Sequence, residues 1–566
     1  MINKSLRNII VIITVFIFAS GALNAQDDRE RFNVALKAFS DNFYEASLSL
    51  FERFVDEFPE SPLVPRARLY VAKCYYYNQN YPRALEAFKE LLEPVSEDYS
   101  SFRDEIYFFL GLIHFKGKNF QESLQNFEKI INDYRNSEFI WNAFYMSGRN
   151  YIEIGEFENA EAVLKRVIKK SAKVDLTGKA YLQLMNLKLK DEDYAGVLKL
   201  GSEYFDDFAQ NGDDPRVYFY LGESHYALEN WGEALDNYQK ALTLNPDNKL
   251  KDLLQQSVGL TYLAKGDLNK AKSSIDSIAN REMRFYSQGL YYFKTEDYIQ
   301  ALETFNMFMR NFPRSNFISN VYLNKADLFY EMGRLKDSLF TYKYIIDNFD
   351  SADKPDIINK AHYGLAWCYL KDGEFKKAIE EFKKTIEYTD NPTVKISSQI
   401  QIADAYQEAG RYTEALDLYN NILKENPGTI YADYIQFQIG TAFLKSQQLE
   451  KALMALRNLK NNFPNSKLIP QAQYYLAVGY FTGEDYIKAK ALLEDFFEKH
   501  PRSELIPRAY YLYGKCFFNE GKYRKAIEVF QSIIDNYEDK DIEEFVYIDM
   551  GNAYVNLDLY NEARSI

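Results

Sequence analysis

Residues 218–246 read YFYLGESHYALENWGEALDNYQKALTLNP, and this stretch decides the fold. Tyr218, Gly222 and His225 stand at i, i+4 and i+7, on one face of a helix. Ala234 and Tyr238 are four residues apart on a second helix. A turn at Glu229-Asn230 separates the two helices, and Pro246 stops the second. Gly222 has no side chain, so a neighbouring helix can approach closely there.

The same helix pair recurs along the chain. Ala378, Ala415, Ala452, Ala489, Ala526 and Ala563 form a column of small residues spaced by 37. Three residues before them stand Phe375, Tyr412, Leu449, Tyr486, Tyr523 and Tyr560. Four residues after the first five stand Phe382, Tyr419, Leu456, Leu493 and Phe530. Upstream, Ala160, Val197, Ala234 and Ala271 repeat the 37-residue step, and earlier copies centre on Ala46, Ala84 and Ser123. Ala301 and Ser338 join the halves, making fifteen copies. A fixed period of this length means stacked supersecondary units that bury their apolar faces on one another. Ala271 to Ala301 is only 30 residues, a loss of about two helical turns. The expected organisation is therefore an array over 26–280 and a second over 281–566, with a change of direction near Ser277–Arg284. The copy at Val197 carries Gly201 where a bulky residue is expected. The last copy ends three residues past Ala563, so the sequence reads as part of a longer protein.

The pattern Tyr218-x2-Leu221-Gly222-x2-His225, Ala234-x3-Tyr238, Pro246 resembles the tetratricopeptide-repeat superfamily, over nearly all of residues 30–566. The resemblance implies an all-α fold, a right-handed superhelical α-solenoid of helix–turn–helix repeats, and a role in binding proteins. The linkers carry a second signature: Phe58-Pro59-Glu60-Ser61, Phe312-Pro313-Arg314-Ser315, Phe463-Pro464-Asn465-Ser466 and His500-Pro501-Arg502-Ser503. Pro ends one helix and Ser caps the next. Pro65, Pro470 and Pro507 follow four residues after the Ser, where Pro suits a helix start. This longer repeat is similar to that of periplasmic tetratricopeptide proteins, among them the lipoprotein of the outer-membrane β-barrel assembly machinery and the Tol-Pal partner. The chain departs from both: it has no lipobox Cys, more repeats than the lipoprotein, and no coiled-coil segment.

The 566 residues include 47 Tyr, 42 Phe and 3 Trp, far too apolar for a disordered chain. The net charge of −14 excludes a general nucleic-acid binder, which needs a basic field. Residues 1–25 read as a secretory signal: Lys4 and Arg7, an apolar run from Ile9 to Phe18, then small residues ending at Ala25. An uncleaved membrane anchor is the alternative reading. Removal of the signal takes away two positive charges. The expected location is the periplasm or cell envelope of a bacterium.

Chemistry-bearing residues are few. Cys74, Cys368 and Cys516 each precede a column residue by ten, a slot filled elsewhere by Ala405, Ala442 or Gly479. They read as small buried residues, too far apart to pair. His114 and His225 take a slot usually aromatic, His362 faces the packing side and His500 lies in a linker. No metal-ligand spacing, phosphate loop or nucleophile motif is present. No cofactor and no enzymatic activity are expected.

A second stripe runs along the first helices: Phe219 and Tyr226, Tyr286 and Phe293, Tyr474 and Phe481, Tyr511 and Phe518, each pair seven apart. Tyr330 and Tyr363 occupy equivalent slots, with Trp367 beside them. In the family resembled, first helices line a concave groove that takes peptides or partner helices, which makes these eleven residues the partner-binding candidates. Packing between adjacent first helices would use the same stripe. The family's Lys/Asn clamp for a terminal carboxylate is not expected, because the matching slots are aromatic. The sequence thus points to an exported scaffold binding envelope proteins, in outer-membrane assembly, secretion or envelope maintenance. The alternative is the exported interaction region of a longer enzyme or sensor cut at Ile566.

Overall fold

A computed structural model describes residues 27–92, 97–208, 214–349, 354–389, 391–537 and 540–566. The signal-like segment 1–25 lies outside the described residues. Among these residues the secondary structure is thirty α-helices and one short 3-10 helix at Glu97–Phe102, with no strand. The all-α repeat architecture expected from the sequence is what the structure shows. The chain divides into two compact units, Met1–Asn280 and Arg281–Ile566.

Within each unit the helices come in pairs, and each helix packs on its chain neighbours. First helices also touch the first helix of the next copy, as Val174–Lys190 touches Pro215–Ala227 and Ile506–Asn519 touches Lys540–Asn556. The best-formed copy shows why the sequence folds this way. Asp214 caps the first helix by accepting from the Arg216 amide, and Pro215 occupies its first turn. The Asn230 amide then donates to the His225 carbonyl at 2.8 Å, closing the helix through a left-handed residue, Glu229, at φ 60°. Trp231–Thr243 follows as the second helix.

This turn is built identically throughout. The residue five before each column position has positive φ in every copy; six of these residues are Gly and the rest include Gln79, Lys118, Glu192, Glu296 and Glu484. The same feature corrects the register of the first copy. Asn42, at φ 64°, lies five before Ser47, and it is Ser47, not Ala46, that is fully buried. Ala46 faces solvent. The Ser47 hydroxyl donates to the Ala35 carbonyl at 3.0 Å, as Ser123 does to Gly111 at 2.7 Å and Ser338 to Ala326 at 2.8 Å.

The core of each copy is a bulky residue laid over a small one. A Cβ on Gly222 would meet the Tyr238 ring at 2.4 Å, and one on Gly514 would meet the Phe530 ring at 2.4 Å. Both rings are completely buried. In the Val197 copy the two sizes are exchanged. Met185, fully buried, takes the small position, and Gly201 takes the bulky one, its empty Cβ site 2.5 Å from Leu221 of the next copy. The shortened copy loses its residues from the second helix, Leu268–Asp276, which has nine residues where Tyr298–Asn311 has fourteen. The Asp252 carboxylate accepts from the Ala279 and Asn280 amides at 2.7 and 2.9 Å and finishes that end.

Candidate partner-binding surface

All eleven aromatic candidates are half-buried. Phe219 and Tyr226 belong to the first unit and the other nine to the second. The stripe has two kinds of member. Tyr226, Phe293, Phe481 and Phe518 sit in the last turn of a first helix against the aromatic five residues on: Trp231, Tyr298, Tyr486 and Tyr523, with ring centroids 5.2 to 6.3 Å apart. These rings clasp the turn of their own copy.

The earlier members reach toward the next copy. The Tyr511 hydroxyl donates to Asp549 at 2.6 Å, and Asn324 donates to the Tyr286 hydroxyl at 3.3 Å. The Tyr363 and Ser397 hydroxyls stand 3.4 Å apart. Burial and the Asp549 carboxylate together push the Tyr511 phenol upward. Tyr330 lies under the Lys371 ammonium, 4.5 Å from the ring centroid. Trp367 and Tyr363 both meet the buried Phe382 ring edge-on. Phe219 and Tyr474 pack at the margins of their local cores. Each candidate thus has one side engaged in packing and part of its surface open.

Carboxylates lie within the same stripe, a feature the sequence reading missed. Glu223 stands between Phe219 and Tyr226 at helical spacing, and accepts from the Tyr238 hydroxyl at 2.7 Å and from Ser257 at 2.6 Å. Asp327 accepts from Tyr342, and Asp404 accepts from Tyr419, from Tyr434 at 2.9 Å and from the Gln438 amide at 3.2 Å. Burial pushes the Asp404 and Asp327 carboxyls above the usual range, against the opposing pull of these donors. The same burial, with the adjoining carboxylate, holds Tyr238, Tyr342 and Tyr419 protonated. The sequence does contain the signal. Wherever the bulky core residue is Tyr, an acid stands fifteen residues before it. Where it is Phe or Leu, that position holds Leu36, Lys73, Leu112, Arg149, Leu290, Trp367, Thr441, Val478 or Lys515.

At Asp404 the aromatic stripe gives way to a polar patch. Buried Gln407 donates to the Thr441 hydroxyl at 3.2 Å, and that hydroxyl in turn donates to Gln438. One copy earlier, His362 is buried with its Nδ1 2.6 Å from Glu381 and its ring stacked on Tyr388. Glu381 also pairs with Lys384 at 2.8 Å. Burial alone would raise the Glu381 carboxyl, but these two partners hold it below its ordinary value.

Cys74, Cys368 and Cys516 are free, completely buried thiols. Cys368 lies 3.2 Å from the Ser338 hydroxyl. Burial pushes the three thiols up, to about 11, 11 and 12. Alkylation of the folded protein near neutral pH is accordingly expected to run about a hundredfold slower than in denaturant, since the thiolate is the reactive form. Rapid labelling of any one of them in the native state would contradict this placement. Among the described residues no group of His, Cys, Asp and Glu is placed to hold a metal ion. No described helix is long and apolar enough to cross a membrane.

Family models described as tetratricopeptide repeat match residues 32–99, 142–173, 215–248, 359–392, 398–429 and 508–539. A model described as outer membrane lipoprotein matches residues 436–523. A TPR repeat-containing protein of Methanocaldococcus jannaschii is 24% identical over 362 residues, 62% of this chain and 56% of that protein. The chain therefore spans little more than half the length of that relative. A crystallised tetratricopeptide repeat protein of Parabacteroides merdae is 17% identical, covering 48% of this chain and 98% of its own, with a TM-score of 0.38. The Cut9–Hcn1 hetero-tetramer of the APC/C gives 16% identity, 85% and 95% coverage and a TM-score of 0.36. The recurring helix pairs and the matched models show that this chain carries tetratricopeptide repeats. Its repeats form a protein-interaction scaffold.

Proposed function

We propose that this protein is an exported scaffold of a bacterial cell envelope, and that partner proteins or peptides lie along the half-buried aromatic stripe of the first helices. The observation that carries the reading is the outer membrane lipoprotein match over residues 436–523, which contains Tyr474, Phe481, Tyr511 and Phe518. Carboxylates within the stripe and a chain charge of −14 favour a partner segment that is basic or neutral. Outer-membrane assembly, secretion and envelope maintenance are the roles such a scaffold serves, with no catalytic step of its own. The test is crosslinking capture from envelope fractions with wild type and with Tyr511→Ser plus Phe518→Ser. The double variant is expected to keep its helical signal and most of its thermal stability while losing partners. If it unfolds, the stripe is core; if it stays folded and captures its partners unchanged, the binding surface lies elsewhere.

A further inference from the structure

The first unit contains two opposed blocks of charge. Residues 165–190 hold eight Lys and Arg against one acid, and residues 191–214 hold eight Asp and Glu against one base. The structure places the outermost members of each at neighbouring corners. The helix Phe157–Lys170 ends in Lys165, Arg166, Lys169 and Lys170, all exposed, with Lys173 following in the connection. The helix Tyr194–Phe208 ends in Glu203, Asp206 and Asp207, also exposed. Each of these two helices is the second of its copy, and each connection runs on into the next first helix. The two corners therefore lie on the same edge of the unit, one repeat apart.

Part of this charge is spent internally. Lys165 pairs with Glu161, and Lys188 bridges Glu161 and Asp193. Arg166 lies over the Phe144 ring at 4.4 Å, and Lys173 donates to the Glu138 carbonyl and to Asn142. Asp207 accepts from Tyr181 at 2.6 Å, and Lys199 lies 3.9 Å from Glu203. Lys169, Lys170 and Asp206 have no ion-pair partner among the described residues. The lysines suit the negative end of a helix, but the acids do not: two Asp in the last turn oppose the helix dipole and cost local stability. Val174, beside the basic corner, is 59% exposed.

We propose that this edge is a self-association surface, and that its occupant is a second copy of the same chain. A basic corner and an acidic corner side by side are self-complementary in charge. A two-fold axis passing between them sets the basic corner of each copy on the acidic corner of the other, the isologous arrangement of a cyclic dimer. The acidic corner, unfavourable in the single chain, gains its counter-charge in the pair. Exposed ion pairs add little affinity each, so the dimer is salt-sensitive, with charge setting the partner and the encounter rate.

The experiment is analytical ultracentrifugation of the full chain at about 50 mM and about 500 mM salt, either side of strong screening. Wild type is expected to dimerise at low salt and to dissociate at high salt. Lys169→Glu with Lys170→Glu weakens self-association by about tenfold or more, and Glu203→Lys with Asp206→Lys does the same, since each sets like charges opposite one another. An equimolar mixture of the two double variants restores a dimer, because one variant then has two acidic corners and the other two basic ones, and opposite charges face each other on both sides of the axis. All four positions are exposed, and an unchanged circular dichroism spectrum confirms that each variant is folded. A wild type that stays monomeric at low salt overturns the proposal, as do variants that associate like wild type or a mixture that fails to pair. Binding of monomeric wild type to phosphatidylglycerol vesicles, lost in the lysine variant, would instead assign the corner to an anionic lipid surface and overturn it too.

Discussion

Replacing Phe530 by Ala is expected to destabilise the second unit by about 3–5 kcal/mol, the usual cost of emptying a large buried ring site. Phe530 is completely buried and its ring covers Gly514. It shares a core with Ala526, Ile533, Val546 and Met550, so its loss opens space between two copies at once. Neither side can collapse easily, because the helices around the site are already held by Tyr511–Asp549 and by the turn at Gly521. Since each copy leans only on its neighbours, the damage stays local. Hydrogen exchange should rise across Ile506–Asn556, while Arg281–Asn311 keeps its protection. A denaturation shift smaller than about 1 kcal/mol would mean that the ring is not the keystone of its copy.

The second large effect is a coupling. Asp404→Ala leaves the Tyr419 hydroxyl buried without its acceptor, at a cost of about 1–3 kcal/mol. Tyr419 is completely buried in the intact protein, and its hydroxyl has Asp404 as its acceptor. Tyr419→Phe costs less, because Asp404 keeps Tyr434 and Gln438 as donors. The double change Asp404→Leu with Tyr419→Phe reproduces the pairs Leu112–Phe127 and Leu290–Phe305 of other copies, and is expected to recover most of the loss. A double-mutant cycle of Asp404→Leu, Tyr419→Phe and their combination reads the coupling directly. Additive effects of the two single changes would show that the tyrosine and the acid are independent.

That covariation marks how far the sequence carries the fold. Helix pairing was legible because Gly222 and Tyr238, or Gly514 and Phe530, are a fixed distance apart and of opposite size. The register at Ala46 and Ser47 was not, because both residues are small and size was the only criterion. What separates them is the turn, and the turn is hidden: a left-handed residue sits at every one, but as Glu229, Gln447 or Lys118 as often as Gly. The surrounding hydrogen bonds impose that conformation, overriding the residue's own preference. The aromatic stripe was legible as a spacing, yet its division into turn clasps and bridges to the next copy depends on which ring lies five residues on. The carboxylates within the stripe were overlooked because each looked like an ordinary surface acid until its tyrosine was located.

The exchanged pair Met185 and Gly201 has a consequence of a historical kind. Every other route between this arrangement and the common one passes through a poor intermediate. Met185→Gly first would empty a fully buried site, and Gly201→Phe first would drive a ring into Leu221. Either intermediate costs a few kcal/mol, as cavities and overpacking do. A copy that has once swapped sizes is therefore trapped by the very selection that keeps it folded. Within the array this copy is a durable landmark by which its descendants can be aligned after copies have been gained or lost.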